Sequence, residues 1–317
     1  MLVYIQRNYE YPDLLRQTPN LKGDWEGIRF TFDKAEQCDF VVVINHPKTD
    51  IKVKCRKGGK ILLIQEPPYE RNRYLKMHFR FYDTIISGFK DKGLFKMLNS
   101  QAALPWHIDK TYDELSALTI NEQGSKKDKV SFITSNSNIY PQHAVRLDFI
   151  EFMKSQAFEF DLFGRGFQPI ENKFNGINPY KYTIAAENYI DKDYFTEKII
   201  DAFLSLSMPI YYGCPNITDY FPKESMIRVD LNNREESLEK IKEAVATKLW
   251  DKNKEAIVYA KELILNKYQL FPMLAGVIRN IAATQPKITY EKVMIPHSGL
   301  TRGENFKKEL KARFFKK

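Results

Sequence analysis

The sequence predicts an α/β chain made of two doubly wound halves, and three observations carry that prediction. Short β-branched apolar runs recur through both halves, patterns of helical period stand between them in the second half, and a polar stretch separates the two series. At 317 residues the chain has room for two domains of ordinary size. Its 43% apolar residues, with 18 Tyr and 22 Phe among the aromatic and apolar side chains, suffice to fill two cores.

In the first half the runs are "LVYI" (2–5), "FVVVI" (40–44), "KILLI" (60–64) and "DTIIS" (83–87). Each is four or five residues long and ends in a polar or proline-containing loop, the pattern of parallel strands buried on both faces. "TINEQGSKKDK" (119–129) is polar and charged with one glycine, and serves as the linker candidate. A second series follows: "VSFITSN" (130–136), "EFDLFG" (159–164), "YTIAA" (182–186), "MPIYYG" (208–213) and "MIRVDL" (226–231). Between these runs, 143–154 sets Val145, Phe149 and Phe152 on one helical face. Over 195–206, Phe195, Ile199, Ala202, Phe203 and Leu206 follow i, i+4, i+7, i+8, i+11. Residues 234–285 read as mostly helical. The expected division is an N-terminal α/β domain (1–125), a C-terminal Rossmann-like domain (126–290) and a basic tail (291–317).

Composition excludes several function classes. The three cysteines, Cys38, Cys55 and Cys214, are scattered, and neither they nor the five histidines show the spacing of a zinc site, a disulfide framework or a catalytic triad. Much of the +9 net charge sits in the last sixteen residues, where seven Lys/Arg and two Glu contribute +5, so no nucleic-acid partner is expected. The N-terminus lacks signal-peptide features, and no apolar run approaches the roughly 18 residues of a membrane span. The expectation is a cytoplasmic protein, with a peripheral place at the inner membrane if the tail binds there. No G-x-G-x-x-G or Walker pattern is present.

Ligands of such sheets bind beyond the carboxyl ends of the strands. That rule selects four loops: "QEPP" (65–68), "SNSN" (135–138), "FGRG" (163–166) and "ENYIDKDYFTEK" (187–198). In the last, Lys198 falls at a helix start, where the helix dipole disfavours a cation by roughly 0.3–1 kcal/mol. A bound anion reverses that sign, because backbone amides, dipole and ammonium then act together; the alternative is a surface ion pair with Asp193, Glu197 or Asp201. Arg146, early in the helix after "SNSN", has the bidentate fork that grips phosphate, or else pairs with Asp148 or Glu151 on the surface. Glu66, held by two prolines at a strand end, suits a general base, or else is a loop carboxylate satisfied by backbone amides. "DKD" (191–193) resembles a metal-holding triplet of some sugar-nucleotide transferases, but Asp193 reads more simply as the cap of the next helix. No metal ligand is assigned.

Together these pieces form a denser pattern. "YKYTIAAENYIDKDYFTEKIIDAFLSLSMPIYYGCPNITDYFPKESMIRVDLNN" (180–233) closely resembles the C-terminal signature of the family 10 glycosyltransferases, the α-1,3/1,4-fucosyltransferases, with its Tyr-x-TEK and P-x-Y-x-G segments. The resemblance is dense over about 55 residues, looser from 135 and faint in the first half, where it rests on "CDFVVVINHP", "LLIQEPP" and "LPWHID". It implies a GT-B fold, two Rossmann-like domains facing across a cleft that closes on its substrates, and inverting transfer of L-fucose from GDP-β-L-fucose to a GlcNAc or Glc hydroxyl of an N-acetyllactosamine-type or related glycan. Carried onto this chain, Lys198 and Arg146 hold the diphosphate, and Glu197 accepts hydrogen bonds from fucose hydroxyls. Asn188 and Tyr194 line the donor pocket, Ser135 and Asn136 sit near the nucleotide, and Glu66 is the base. No cofactor is required in this reading.

Two departures stand out: the family's aromatic-Glu-Asn triplet is Ala186-Glu187-Asn188 here, and Ser207-Met208 replaces a common glycine context. Animal members carry a membrane anchor ahead of this domain, so the chain reads as the bacterial type. Other readings kept open are a transferase of another GDP-sugar and a non-catalytic glycan- or nucleotide-binding protein on the same scaffold. In the tail, Phe306, Leu310 and Phe314 fall at i, i+4, i+8 among basic residues. That fits either an amphipathic segment on an anionic membrane or a terminal helix docked on the first domain.

Overall fold

A computed structural model of the chain describes residues 1–90, 92–98, 100–120, 126–285 and 287–299. The chain forms two compact units, each with its own apolar core. Among the described residues the first takes Met1–Tyr11, Gly23–Ala102 and 274–299, and the second takes Pro12–Lys22 and Ala103–Met273. Residues 291–299 of the expected tail therefore belong with the first unit, and residues 103–120 belong with the second. Within the second unit, Pro12–Lys22 is tied down by Arg16, which bonds Asp109 at 2.8 Å, and by Asn20, whose N–H donates to Asp113 at 2.7 Å.

In the first unit, strands β1 (Leu2–Arg7), β2 (Asp24–Trp25), β3 (Ile28–Thr31), β4 (Gln37–Cys38), β5 (Phe40–Ile44), β6 (Ile51–Arg56), β7 (Lys60–Leu63), β8 (Thr84–Ile86) and β9 (Met97–Leu98) build two sheets. The larger has the order β2-β3-β1-β5-β7-β8-β9 and is parallel except for the β2/β3 hairpin. All five residues of β5 are buried, as its continuous apolar run requires of a central strand. The polar loops at the ends of β5 and β7 are clasped by Asn45, which adopts φ 61° and accepts the N–H groups of Gln65 (2.8 Å) and Glu66 (3.3 Å).

The second unit is a five-stranded parallel sheet of β10 (Lys127–Ile133), β11 (Phe160–Phe163), β12 (Tyr180–Ala186), β13 (Met208–Tyr212) and β14 (Ile227–Arg228). Its spatial order, β11-β10-β12-β13-β14, is the second-first-third-fourth-fifth arrangement of a doubly wound domain. The order reverses between β10 and β12, and a crevice opens there beyond the strand ends. The helices α1 (Tyr112–Ala117), α2 (Pro141–Ser155), α3 (Lys173–Ile177), α4 (Glu197–Leu204), α5 (Arg234–Ala246), α6 (Leu249–Lys252), α7 (Lys254–Leu263) and α8 (Leu270–Thr284) follow. Lys127–Lys129, part of the expected linker, is the start of β10, and 121–125 lies outside the described residues.

A last strand, β15 (Tyr290–Ile295), pairs antiparallel with β6, and β4 completes that smaller sheet on the other side. Val293 and Ile295 face inward, while Lys292 and Met294 are exposed. The expected tail helix with Phe306, Leu310 and Phe314 lies outside the described residues.

Candidate active site

The strand ends of the second unit meet around a cavity of about 500 Å³. It lies where the sheet order reverses, and three of the four loops picked out from the sequence supply its walls. The loop after β10 contributes Thr134, Ser135 and Ser137, the loop after β11 contributes Gly164 and Arg165, and Asn188, Glu197 and Lys198 follow β12. Gly164 has φ 116°, and a Cβ there would stand 1.9 Å from the Thr134 carbonyl oxygen, so only glycine lets these two loops touch. Gly166 (φ 85°) packs in the same way under the Asn136 side chain.

Helix α2 brings Arg146 into the wall. Its buried face is His143, Arg146, Phe149, Ile150 and Met153, rotated from the Val145–Phe149–Phe152 face that the periodicity suggested. The rotation carries a guanidinium inward. Arg146 is 4% exposed and donates from Nη1 to Asn188 Oδ1 at 2.5 Å, while its buried Nε has no hydrogen-bond partner. The surface pairing with Asp148 or Glu151 does not form. Thr134 Oγ1, also buried in the cavity wall, is likewise without a partner.

Helix α4 brings the second cation. The helix begins at Glu197 with Thr196 as its cap, not at Asp193. Asp193 instead has φ 60° and accepts from Asn216 Nδ2 (2.8 Å) and the Tyr220 hydroxyl (2.6 Å), which commits it to bracing the loop. Lys198 Nζ lies 3.0 Å from Glu197 Oε1, 3.0 Å from Thr196 Oγ1 and 3.5 Å from Glu187 Oε2. Burial works against the ammonium, but Glu197 and Glu187 outweigh it and hold its pKa above the ordinary lysine value. Glu197 is pulled the other way. Burial would raise its pKa, and the neighbouring Lys198, Lys173 and His107 hold it well below the usual carboxylate range.

Glu187, at the end of β12, was not assigned a role from sequence. It is fully buried and accepts from the Thr196 N–H (2.8 Å) and hydroxyl (2.6 Å), so it locks the loop to the start of α4. Gly213 on the adjacent β13 end makes room for it, since a Cβ there would stand 2.4 Å from Glu187 Cγ. Asp201, one turn after Glu197, also lines the cavity and is not the surface partner of Lys198 that the sequence suggests. It bonds the His107 N–H at 2.8 Å and Lys173 Nζ at 3.3 Å, and burial raises its carboxyl to about 6. No local motif marks Glu187 or Asp201. The available signal was their register, immediately after a buried strand and four residues after Glu197.

Asn136 holds the loops together through its N–H to Arg165 O (3.0 Å) but is not among the residues lining the cavity. Tyr194 is not among them either and packs edge-on against Tyr189, 5.6 Å between ring centres. Ala186, where the family pattern has an aromatic, is buried in the cavity wall. Ser207 caps neighbouring carbonyls, donating to Tyr180 O (2.6 Å) and Ile177 O (2.9 Å). Glu66 belongs to the first unit, half-buried in the loop after β7.

Parallel Rossmann-like units, with a cation-lined crevice at the sheet reversal of the second, give the chain a fold of the GT-B class. Residues 123–255 match the family model described as glycosyltransferase family 10 (fucosyltransferase), C-terminal. It is 29% identical over 188 residues to the α-(1,3)-fucosyltransferase FucT of Helicobacter pylori, covering 54% of this chain and 37% of that protein. It is 36% identical over 128 residues to 4-galactosyl-N-acetylglucosaminide 3-α-L-fucosyltransferase 9 of Homo sapiens, covering 38% of this chain and 34% of that one. The matches thus span little more than a third of either relative. A crystal structure of an α-1,3-fucosyltransferase superposes with a TM-score of 0.51 at 17% identity over 89% of each chain, a likeness of fold.

Proposed function

We propose that the protein is an inverting α-1,3(4)-fucosyltransferase that moves L-fucose from GDP-β-L-fucose to a GlcNAc or Glc hydroxyl of a glycan. The observation that supports this most is the convergence of Arg146 and Lys198 on one cavity. In this reading the two cations bind the donor diphosphate and take up the charge that develops on the departing GDP, without a metal. Glu197 accepts hydrogen bonds from fucose hydroxyls, and Asn188 and Ser135 complete the donor pocket. Glu66 removes the proton of the acceptor hydroxyl as that oxygen attacks the anomeric carbon from the face opposite GDP. The acceptor is of the N-acetyllactosamine or lipopolysaccharide type, and the protein works in the cytoplasm or at the inner face of the membrane.

The test is incubation with GDP-fucose and N-acetyllactosamine, lactose or lacto-N-biose, in EDTA or Mn²⁺, following GDP release and fucosylated product. Acceptor-dependent GDP release that persists in EDTA is the expected result. Turnover only with Mn²⁺ would overturn the metal-free reading, and absence of both turnover and GDP-fucose binding would overturn the whole assignment.

A further inference from the structure

The small sheet of the first unit carries a surface that the transfer reaction does not use. Lys52 and Lys54 on β6, Lys292 and Met294 on β15, and Lys34 just before β4 are all exposed and border one shallow groove. Glu36 is the one carboxylate among the residues bordering it. Lys54 and Lys292 are direct cross-strand partners, and Lys52 faces Met294. Like charges placed directly opposite on a sheet are destabilising. Among the described residues none of the four lysines forms an ion pair, so the fold does not neutralise the repulsion. Protection of a sheet edge against aggregation explains lysines on edge strands. It explains Lys292 but not Lys52 and Lys54, which sit on the central strand of the three.

We propose that this face docks on an anionic phospholipid bilayer. A soluble polyanion would be served by charge alone, whereas here the lysine stems stand beside Met294, which is 38% exposed. Basic heads in the headgroup layer over a shallow apolar contact is the chemistry of an interfacial site. The chain that leaves β15 on this unit continues into the most basic stretch of the sequence, "RGENFKKELKARFFKK" (302–317), which adds charge of the same sign.

The experiment is sedimentation of the full chain with vesicles of phosphatidylcholine alone or with 30% phosphatidylglycerol. Each lysine near an anionic surface contributes roughly fivefold to partitioning at low salt. Lys52→Gln, Lys54→Gln and Lys292→Gln together should therefore weaken binding to the anionic vesicles about a hundredfold, with the thermal midpoint retained. The same change at Lys223, Lys240 and Lys242 of the second unit should leave it within twofold. A shift from 0.1 to 0.5 M KCl should release the unsubstituted chain, a readout that needs no variant. Equal binding to both vesicle types, undiminished binding of the triple variant, or capture by heparin without capture by vesicles would each overturn the proposal.

Discussion

Lys198 occupies a helix start that should repel it, and its neighbours explain how it stays. Glu187 and Glu197 flank the ammonium and Thr196 accepts from it, so the charge is held in a fixed place before any ligand arrives. Charged hydrogen bonds of this kind contribute about 1.5–3 kcal/mol each, so Lys198→Ala or Arg146→Lys should weaken GDP-fucose binding roughly 10- to 100-fold by calorimetry. For Glu66→Ala the expectation is unchanged donor affinity and a transfer rate lower by about 10²–10⁴, read in a single-turnover assay. Asp201 sets a pH signature. Its carboxyl is raised from 3.8 to about 6, so between those values the folded chain keeps a proton that the unfolded chain has released. Stability therefore falls as pH rises through that window, by an amount on the order of 2–3 kcal/mol. Thermal midpoints from pH 3.5 to 7 should show that fall, and Asp201→Asn should flatten it. Lys198 and Arg146 were legible in sequence as cations near strand ends. Glu187 and Asp201 were not, because nothing local tells a buried carboxylate from one on a helix surface.

At the scale of elements, the site depends on two junctions. One is the cap of α4, where Thr196 serves both the helix and Glu187. Thr196→Ala should cost about 1–2 kcal/mol in chemical denaturation and, by loosening Lys198, weaken donor binding in the same protein. The other is the contact of the loops after β10 and β11, where Gly164→Ala would force both a positive φ and a collision with backbone. Strain of that sort costs on the order of 1–3 kcal/mol. The buried strands and the loops at their ends were readable from apolar runs and terminating polar residues. The rotation of α2 was not, because Val145, Phe149 and Phe152 make as good a helical stripe as the observed one. Only packing reveals that the inward face includes His143 and Arg146. The start of α4 was misplaced by the acidic "DKD", whose Asp193 finds its partners in Asn216 and Tyr220, more than twenty residues further on.

For the whole molecule, the two-unit α/β plan was legible because each unit repeats a strand pattern of its own. The way the chain divides between them was not. Pro12–Lys22 serves the second unit and residues 274–299 the first, and such excursions leave no compositional trace. The strand β15 was hidden for a similar reason: "YEKVMI" alternates modestly, and only its pairing with β6 makes it a strand. The central claim is that the crevice at the sheet reversal of the second unit is the GDP-fucose site and that its two cations hold the diphosphate. Isothermal titration of GDP-fucose into the unsubstituted chain, Lys198→Ala and Glu66→Ala, all in EDTA, tests this most directly. Saturable binding to the unsubstituted chain and to Glu66→Ala with equal affinity is expected, with a loss of at least tenfold in Lys198→Ala. Equal affinity in all three proteins would contradict it.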